Sequence, residues 1–215
     1  IATYGARIRR SPKASAFDFE LEYARQTGSV RGSTNPAMFR RDYRRIAVLH
    51  VEAGYTFAAA WSPRIALQYD YASGDDSPSD LSSERFDPLF GDRSFEFGPT
   101  SIWGAIFRSN LKSPGVRIEL KPDKTNELMG MVRQVKLESA ADSFGSSGVR
   151  DATGASGEDV GAHIELRWRH QLVPDGVRLS IGGAALLRDD FLKSAPNATG
   201  LGDSYYGYTE LQFSF

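Results

Sequence analysis

The sequence is poor in several features on which soluble proteins depend. It contains no cysteine, which excludes a disulfide framework and a thiolate metal site. Ala, Val, Ile, Leu, Met, Phe, Trp and Tyr together make up 40% of its 215 residues, and the mean hydropathy is −0.38. The net charge is only −1, so there is no basic surplus to neutralise phosphates, and we expect no nucleic-acid partner.

Long hydrophobic segments are also missing. No run of about 18 apolar residues exists, so the sequence predicts no transmembrane helix. A transmembrane β-barrel is compatible with this absence, because each strand needs only about 10 residues that alternate between a lipid-facing and a lumen-facing side. The residues that are plentiful suit a barrel, since 12% are aromatic and 21 are glycine.

Polar and apolar residues alternate along most of the chain with the period of a β-strand. In residues 17–23 every odd position is aromatic or aliphatic and every even position is acidic, so a strand would place the acids on one face. The same pattern predicts strands over 2–10, 44–58, 64–72, 116–121, 160–172, 177–188 and 208–215.

One predicted strand, residues 127–138, does not fit this scheme. In a strand, Met131 and Val135 share a face with Arg133, and an arginine that faces lipid in mid-membrane costs roughly 2–4 kcal/mol. A bulge, or a position of Arg133 closer to the membrane interface, would each remove the conflict. The sequence alone leaves both explanations open.

The connections between the predicted strands alternate between short and long through the whole chain. The short ones are 11–14, 60–63, 122–126 and 173–176, and the long ones cover about 30–43, 73–113, 139–158 and 189–203. Outer-membrane barrels have short periplasmic turns and longer extracellular loops, whereas a soluble β-sandwich has no reason to keep this alternation. The predicted fold class is therefore all-β, a transmembrane antiparallel β-barrel.

The pattern gives about nine strands, which do not complete a barrel. Bacterial single-chain barrels have even strand numbers and both termini in the periplasm. An open sheet in lipid would also leave unpaired backbone groups at a cost of several kcal/mol each. We therefore expect residues 1–215 to be the C-terminal part of a single barrel domain, closed by about nine strands of an N-terminal half in a missing segment or a separate chain.

Several blocks of sequence resemble the alginate export family of outer-membrane barrels. They are HVEAGYTF at 50–57, WSPR at 61–64, YDYASGD at 69–75, RFDPLFG at 85–91, FGP at 97–99 and RSN at 108–110. Phe215 also resembles the C-terminal aromatic signal that the outer-membrane assembly machinery reads. The resemblance implies an approximately 18-stranded barrel in the bacterial outer membrane, with a lumen constricted by inward-folded loops.

Charged residues on the polar side of the predicted strands are the candidate pore-lining residues, because charged walls set solute selectivity in a pore. They are Asp18, Glu20, Glu22, Glu52, Asp70, Arg117, Glu119, Lys121, Glu165, Arg167, Arg169 and Arg178. Acids cluster on the earlier strands and bases on the later ones, which predicts a field across the lumen. The alternative is that these charges only solvate the inner face and pair across strands.

The longest connection, about 73–113, is a second candidate, either an extracellular loop or a constriction of the pore. Structureless connections of this length are usually functional or disordered, and the aromatic residues within it favour packing. These aromatic residues are Phe86, Phe90, Phe95, Phe97 and Trp103. Its acids, such as Asp75 and Asp80, have no EF-hand spacing, and His50, His163 and His170 have no metal-ligand spacing, so we expect no metal.

Together these features predict a passive outer-membrane channel for a hydrophilic, charged solute, without covalent chemistry or a cofactor. The resemblance favours polysaccharide export; a porin-like uptake channel and a structural or adhesive barrel are the alternatives. The expected partners are outer-membrane lipid, the solute or polysaccharide, and the N-terminal barrel half. A barrel hydrolase is disfavoured, because His170 lies near a strand end but no serine is placed beside it.

Overall fold

A computed structural model describes residues 1–31, 40–77, 80–88, 106, 108–145, 147–198, 200 and 202–215. This part of the chain is almost entirely β-structure. Its elements are β1 (Ala2–Arg10), β2 (Ala16–Arg31), β3 (Arg40–Thr56), β4 (Arg64–Ala72), β5 (Ser82–Ser83), β6 (Leu111–Leu120), β7 (Asn126–Lys136), β8 (Asp159–Val173), β9 (Val177–Arg188), α1 (Asp190–Ser194) and β10 (Ser204–Phe213). None of the helices in these ranges is long and apolar enough to cross a bilayer.

The strands form one antiparallel meander in which each long strand pairs with its neighbours along the chain. The order is β1-β2-β3-β4-β6-β7-β8-β9-β10, and the two-residue β5 adds to β3 in parallel. The all-β antiparallel prediction is confirmed, and the bounds of β1, β4 and β9 are those predicted from the alternation. Within the described residues β1 and β10 do not pair, so this sheet is open, which is consistent with one half of a barrel.

The two ends of the sheet differ in the length of their connections. Turns of a few residues, 11–15, 57–63, 121–125 and 174–176, join strands at one end, and all the long connections lie at the other. In the β8–β9 turn Asp175 has a φ of 56°, a left-handed conformation that aspartate tolerates, and the Gly176 N–H donates to the Val173 carbonyl at 3.0 Å. The structure therefore has the predicted alternation of short turns and long loops.

The faces of the sheet are inverted relative to those of a soluble protein. In β4 the side chains of Arg64, Gln68 and Asp70 are buried, whereas Leu67 is 63% exposed. We call the face of Arg64 and Asp70 the polar face and the face of Leu67 the apolar face. Large residues exposed on the apolar face recur on the other strands: Ile8, Phe17, Leu21, Val116, Ile118, Val132, Leu166, Ile181 and Leu211.

This inversion indicates which solvent each face contacts. In water, a monomeric protein rarely exposes a contiguous apolar surface of this extent, and charged residues are seldom buried unless they are paired. A sheet that crosses a bilayer instead turns its apolar face to lipid and keeps its polar face inside. The distribution of polar and apolar side chains on the described strands is consistent with the second arrangement.

Strand β7 corrects the sequence-based assumption that Met131 and Val135 belong to the lipid-facing side. Arg133 pairs with Gly115 and His163 on the polar face, and its guanidinium donates to Asp70 and Gln68 at 3.1 and 3.2 Å. The register next to Arg133 is regular, so neither explanation offered for its position is needed. The assumption was wrong because Met129, Met131 and Val135 accompany Arg133 on the polar face, whereas Leu128, Gly130 and Val132 lie on the apolar face.

The main cluster of buried apolar side chains lies at the long-loop end of the polar face. Loop residues Phe86, Ile106 and Phe144 pack there, with Phe191 of α1, against apolar residues at the strand ends. These strand residues are Ile46, Val48, Ala72, Leu111, Val135, Val160 and Leu186. The described loop segments thus fold inward over the polar face, while Phe90, Phe95, Phe97 and Trp103 lie outside the described residues.

Candidate functional site: the polar face

Arg64 lies at the centre of a cluster of carboxylates near the short-turn end. Its guanidinium contacts Asp18 (Nε to Oδ2, 3.1 Å), Glu52, and Glu119 (Nη1 to Oε2, 3.1 Å). The register explains this convergence, because Arg64 pairs with Glu119 on β6 and reaches across Gly54 on β3 to Asp18 on β2. A Cβ at Gly54 would lie 2.7 Å from Nη2 of Arg64, so glycine is required for the side chain to lie there.

Asp70 lies at the centre of a second cluster, closer to the long loops. One carboxylate oxygen is 2.7 Å from Nδ1 of His50, and the other accepts from Nη1 of Arg133 at 3.1 Å. Arg108, from the long connection before β6, has Nε 3.6 Å from Asp70 and Nη1 3.6 Å from Glu22. Arg108 therefore joins the long connection to the wall of strands.

The two clusters form one network across β2, β3, β4, β6 and β7. Gln68 donates to Glu52 and accepts from Nη2 of Arg133 at 3.2 Å, and Arg117 lies 3.4 Å from Glu52. Its charged members are five carboxylates, Asp18, Glu22, Glu52, Asp70 and Glu119, and four arginines, Arg64, Arg108, Arg117 and Arg133. We call this set the acid–arginine network, and its charges nearly cancel.

The polar face of β8 and β9 differs, because bases there have few acidic partners. Arg167, Arg169 and Arg178 form what we call the basic ladder. In the described part of the chain its only ion pair joins Arg169 to Glu127 at the 4.0 Å limit, and Arg178 donates to the neutral Gln212. The buried Nε atoms of Arg169 and Arg178 have no hydrogen-bond acceptor among the described residues.

All the predicted pore-lining residues except Lys121 lie on the polar face of strands. They are Asp18, Glu20, Glu22, Glu52, Asp70, Arg117, Glu119, Glu165, Arg167, Arg169 and Arg178. Lys121 begins the turn after β6 and lies 3.7 Å from Glu127. Glu20 is not part of the acid–arginine network but pairs with Arg7 on β1 at 2.6 Å.

Sequence reasoning missed several members of the acid–arginine network. Arg64 and Gln68 alternate with Asp70 on one face of β4, so the strand pattern could have identified them. Met131 and Val135 were correctly placed on the same face as Arg133, but that face was wrongly assigned to lipid. Arg108 follows the long connection and has no periodic signal, so only the structure reveals its contact with Asp70.

Hydrogen bonds fix the described parts of the long connection on the strands and on the next loop. The Gln26 side chain bonds both the carbonyl (2.7 Å) and the N–H (2.9 Å) of Asp87. Arg85 donates to Asp142 at 2.9 Å, and Asn110 accepts from the N–H of Ser139 at 2.7 Å. The inward fold thus rests on polar contacts as well as on the apolar cluster.

Two aspartates outside the strands are held in the charged form by loop hydrogen bonds. In the β6–β7 turn the Thr125 hydroxyl donates to Asp123 at 2.7 Å and, with Asn126, lowers the pKa of Asp123 to about 2. In the loop before β8 the hydroxyls of Thr153 and Ser156 lower the pKa of Asp151. Both carboxylates stabilise connections and not the polar face.

A family model described as alginate export matches residues 1–201. A search of curated proteins finds no match.

Proposed function

Because the chain belongs to the alginate export family of outer-membrane β-barrels, we propose that it forms part of a channel through which a hydrophilic, charged solute diffuses. The observation that carries the proposal is the inverted sheet, whose apolar face is exposed and whose polar face holds ordered charges. Passage would be passive, with no covalent chemistry and no cofactor. The polar face would be the wall along which the solute moves.

The distribution of charge favours an anionic solute. The acids of β2, β3, β4 and β6 are arranged around arginines, so they present little uncompensated negative charge to a solute. Among the described residues the basic ladder on β8 and β9 makes one ion pair, at 4.0 Å, although Glu127, Glu165 and Glu210 lie on the same face, so its positive charges are less closely paired than those of the acid–arginine network. A positive wall raises the local concentration of anions and lowers the barrier to their passage. An anionic polysaccharide exported from the cell would be a solute of this kind.

Ion selectivity in planar lipid bilayers tests the proposal. We expect the complete protein to conduct and its reversal potential in a potassium chloride gradient to show a preference for chloride. Arg167→Gln with Arg169→Gln should reduce the chloride preference, because it removes two charges of the basic ladder. Lys193→Gln is the matched control: it removes one positive charge from α1, away from the ladder, and should leave selectivity unchanged.

Other outcomes would point to other functions. An absence of conductance in the folded protein, with its loops intact, would reject the channel and favour a structural or adhesive barrel. A cation preference, or equal selectivity in the ladder variant and the wild type, would reject the role of the basic ladder. Short chains of uronic acids, added as model anionic polysaccharides, should reduce the current if they enter the pore. If small ions are conducted and these chains leave the current unchanged, a porin-like channel for small solutes is favoured.

A further inference from the structure

The apolar face has an open recess over β6, β7, β8 and β9. Its volume is about 630 Å³, and large apolar side chains surround it: Ile118, Leu120, Leu128, Leu166, Trp168 and Ile181. Gly130 and Gly183 line its floor. The register places both glycines directly beside Leu166, one on each side, so Leu166 stands between two positions without side chains.

Glycine within a strand weakens the sheet, so its presence there usually has a structural or functional explanation. On the polar face the reason is steric: a Cβ at Gly115 would lie 2.8 Å from the Met131 side chain, and one at Gly182 would lie 2.3 Å from Tyr208. At Gly130, on the apolar face, the nearest atom to such a Cβ is the Leu166 side chain at 3.5 Å, an ordinary contact distance. No described neighbour of Gly130 needs this space, whereas a Cβ at Gly183 would lie 3.2 Å from the Tyr206 carbonyl oxygen. Close approach of a bound group is one reason for glycine at position 130.

The short-turn end of the recess has a polar rim. Trp168 Nε1 donates to Asn126 Oδ1 at 2.9 Å, and His170 Nδ1 lies 3.0 Å from the same oxygen. The Trp168 and His170 rings stack with centroids 5.6 Å apart. Lys124 is exposed in the adjoining β6–β7 turn. Tryptophan and cationic residues of this kind lie at the membrane interface, where they contact lipid headgroups.

On β8 the recess is lined from Leu166 to Trp168, and an adjoining recess toward the long loops is lined by Ile164, Leu166 and Tyr205. From Trp168 to Ile164 the two recesses together extend over four residues of β8, which corresponds to about 13 Å of extended strand. The hydrocarbon of one leaflet is about 15 Å thick. Short turns are periplasmic in such barrels, so the recess faces the periplasmic leaflet.

We propose that this recess binds one acyl chain of a glycerophospholipid of the periplasmic leaflet. The chain lies over Gly130 and Gly183 against Leu166, and the anionic phosphate lies beside His170 and Lys124. The proposal rests on the lipid contact of the apolar face and does not depend on conduction through the polar face. Conductance measurements therefore test the channel separately.

Native mass spectrometry of the complete protein, released from membranes in detergent, tests the site. We expect the folded barrel to retain one phospholipid. Gly130→Leu fills the recess with a side chain that its surroundings can accept, and it should lower the retained fraction at least tenfold. Ala53→Leu is the matched control, because it adds a similar bulk at an exposed apolar-face position on β3, outside the recess. Equal retention in Gly130→Leu and wild type would overturn the proposal.

A photoactivatable phospholipid with its reactive group in the acyl chain tests the wild-type protein directly. We expect cross-links to concentrate on peptides that contain residues 118–130 and 166–183. Even labelling of apolar-face residues on β2, β3 and β4 would overturn the proposal, because it would mean ordinary lipid contact. A second copy of the chain cross-linked at the recess, in place of lipid, would also overturn it. This measurement decides the question if Gly130→Leu does not fold.

Discussion

Arg64→Met should destabilise the barrel strongly, because it removes the cation that holds three carboxylates together. The Arg64 side chain is 6% exposed and contacts Asp18, Glu52 and Glu119, of which Asp18 is 2% exposed. Methionine has a similar length and is apolar, so little packing is lost. The three carboxylates would then face one another without Arg64 between them.

The expected magnitude follows from this burial. Removing one partner of a buried ion pair costs about 3–5 kcal/mol, because it leaves an uncompensated buried charge. Since a complete barrel would hold water near the polar face, we take the lower figure, about 3 kcal/mol. At 1.36 kcal/mol per tenfold change, this lowers the folding equilibrium constant roughly 10²-fold.

Urea unfolding of the complete protein in lipid vesicles, followed by tryptophan fluorescence, measures the effect. Lys121→Met is the control, because Lys121 makes one ion pair, at 3.7 Å, with side chains 62% and 49% exposed. Such an exposed pair contributes about 0–1 kcal/mol. The control should therefore unfold close to the wild-type urea concentration.

A rescue variant separates lost charge balance from lost packing. Asp18→Asn, Glu52→Gln and Glu119→Gln, added to Arg64→Met, remove the carboxylates that the arginine neutralised. Replacing a whole buried charge cluster is often nearly neutral, so most of the lost stability should return. If Arg64→Met unfolds like the Lys121 control, or if the rescue variant is no more stable than Arg64→Met, the reasoning about this cluster is refuted.

Three further predictions concern other parts of the chain. Val132→Arg should lower the free energy of unfolding in vesicles by roughly 2–4 kcal/mol, because it places a charge on the apolar face. Gln134→Arg, nearer the long-loop end of the same face, should lower it less. Equal losses of stability in the two variants would contradict the assignment of Val132 to the lipid-facing side. Gln26→Leu should speed tryptic cleavage at Arg85, because it breaks the two hydrogen bonds that tie Asp87, in the loop after β5, to β2. An unchanged cleavage rate would contradict that anchor. Because the pKa of Asp123 is lowered, the stability that its carboxylate gives the β6–β7 turn is fully present above pH 3.8 and is lost as the pH falls through about 2. Protection of the turn's amides from hydrogen exchange should therefore fall over that pH range in the wild type. In Asp123→Ala it should be low at every pH.

The strands and connections could be read from the sequence because they depend on local patterns. Side chains alternate between faces with period two in any strand, so acids at 18, 20 and 22 indicated one polar face without knowledge of the partner strands. The limit of this reasoning is visible at Arg133. Its facing depends on Asp70, which lies 63 positions away in sequence, and the residues beside it on the polar face are apolar.

The acid–arginine network could be predicted only in part, for the same physical reason. The alternation correctly marks residues that share a face, but it does not tell which of them meet. Arg64 reaches Asp18 across β3 because Gly54 leaves space, and this depends on the register of three strands. Arg108 reaches Asp70 from a loop whose path has no periodic signal.

Cysteine accessibility along β8 tests most directly whether the two faces contact lipid and water as described. Residues 1–215 contain no cysteine, so each introduced thiol reports one position in this part of the protein. Single cysteines at Ile164, Leu166 and Trp168 sample the apolar face, and those at Arg167 and Arg169 sample the polar face. In vesicles, we predict that a membrane-impermeant thiol reagent reacts quickly at the polar-face positions and at least tenfold more slowly at the apolar-face positions. Similar rates on both faces, or the reverse order, would contradict a sheet that crosses a bilayer with its apolar face in lipid.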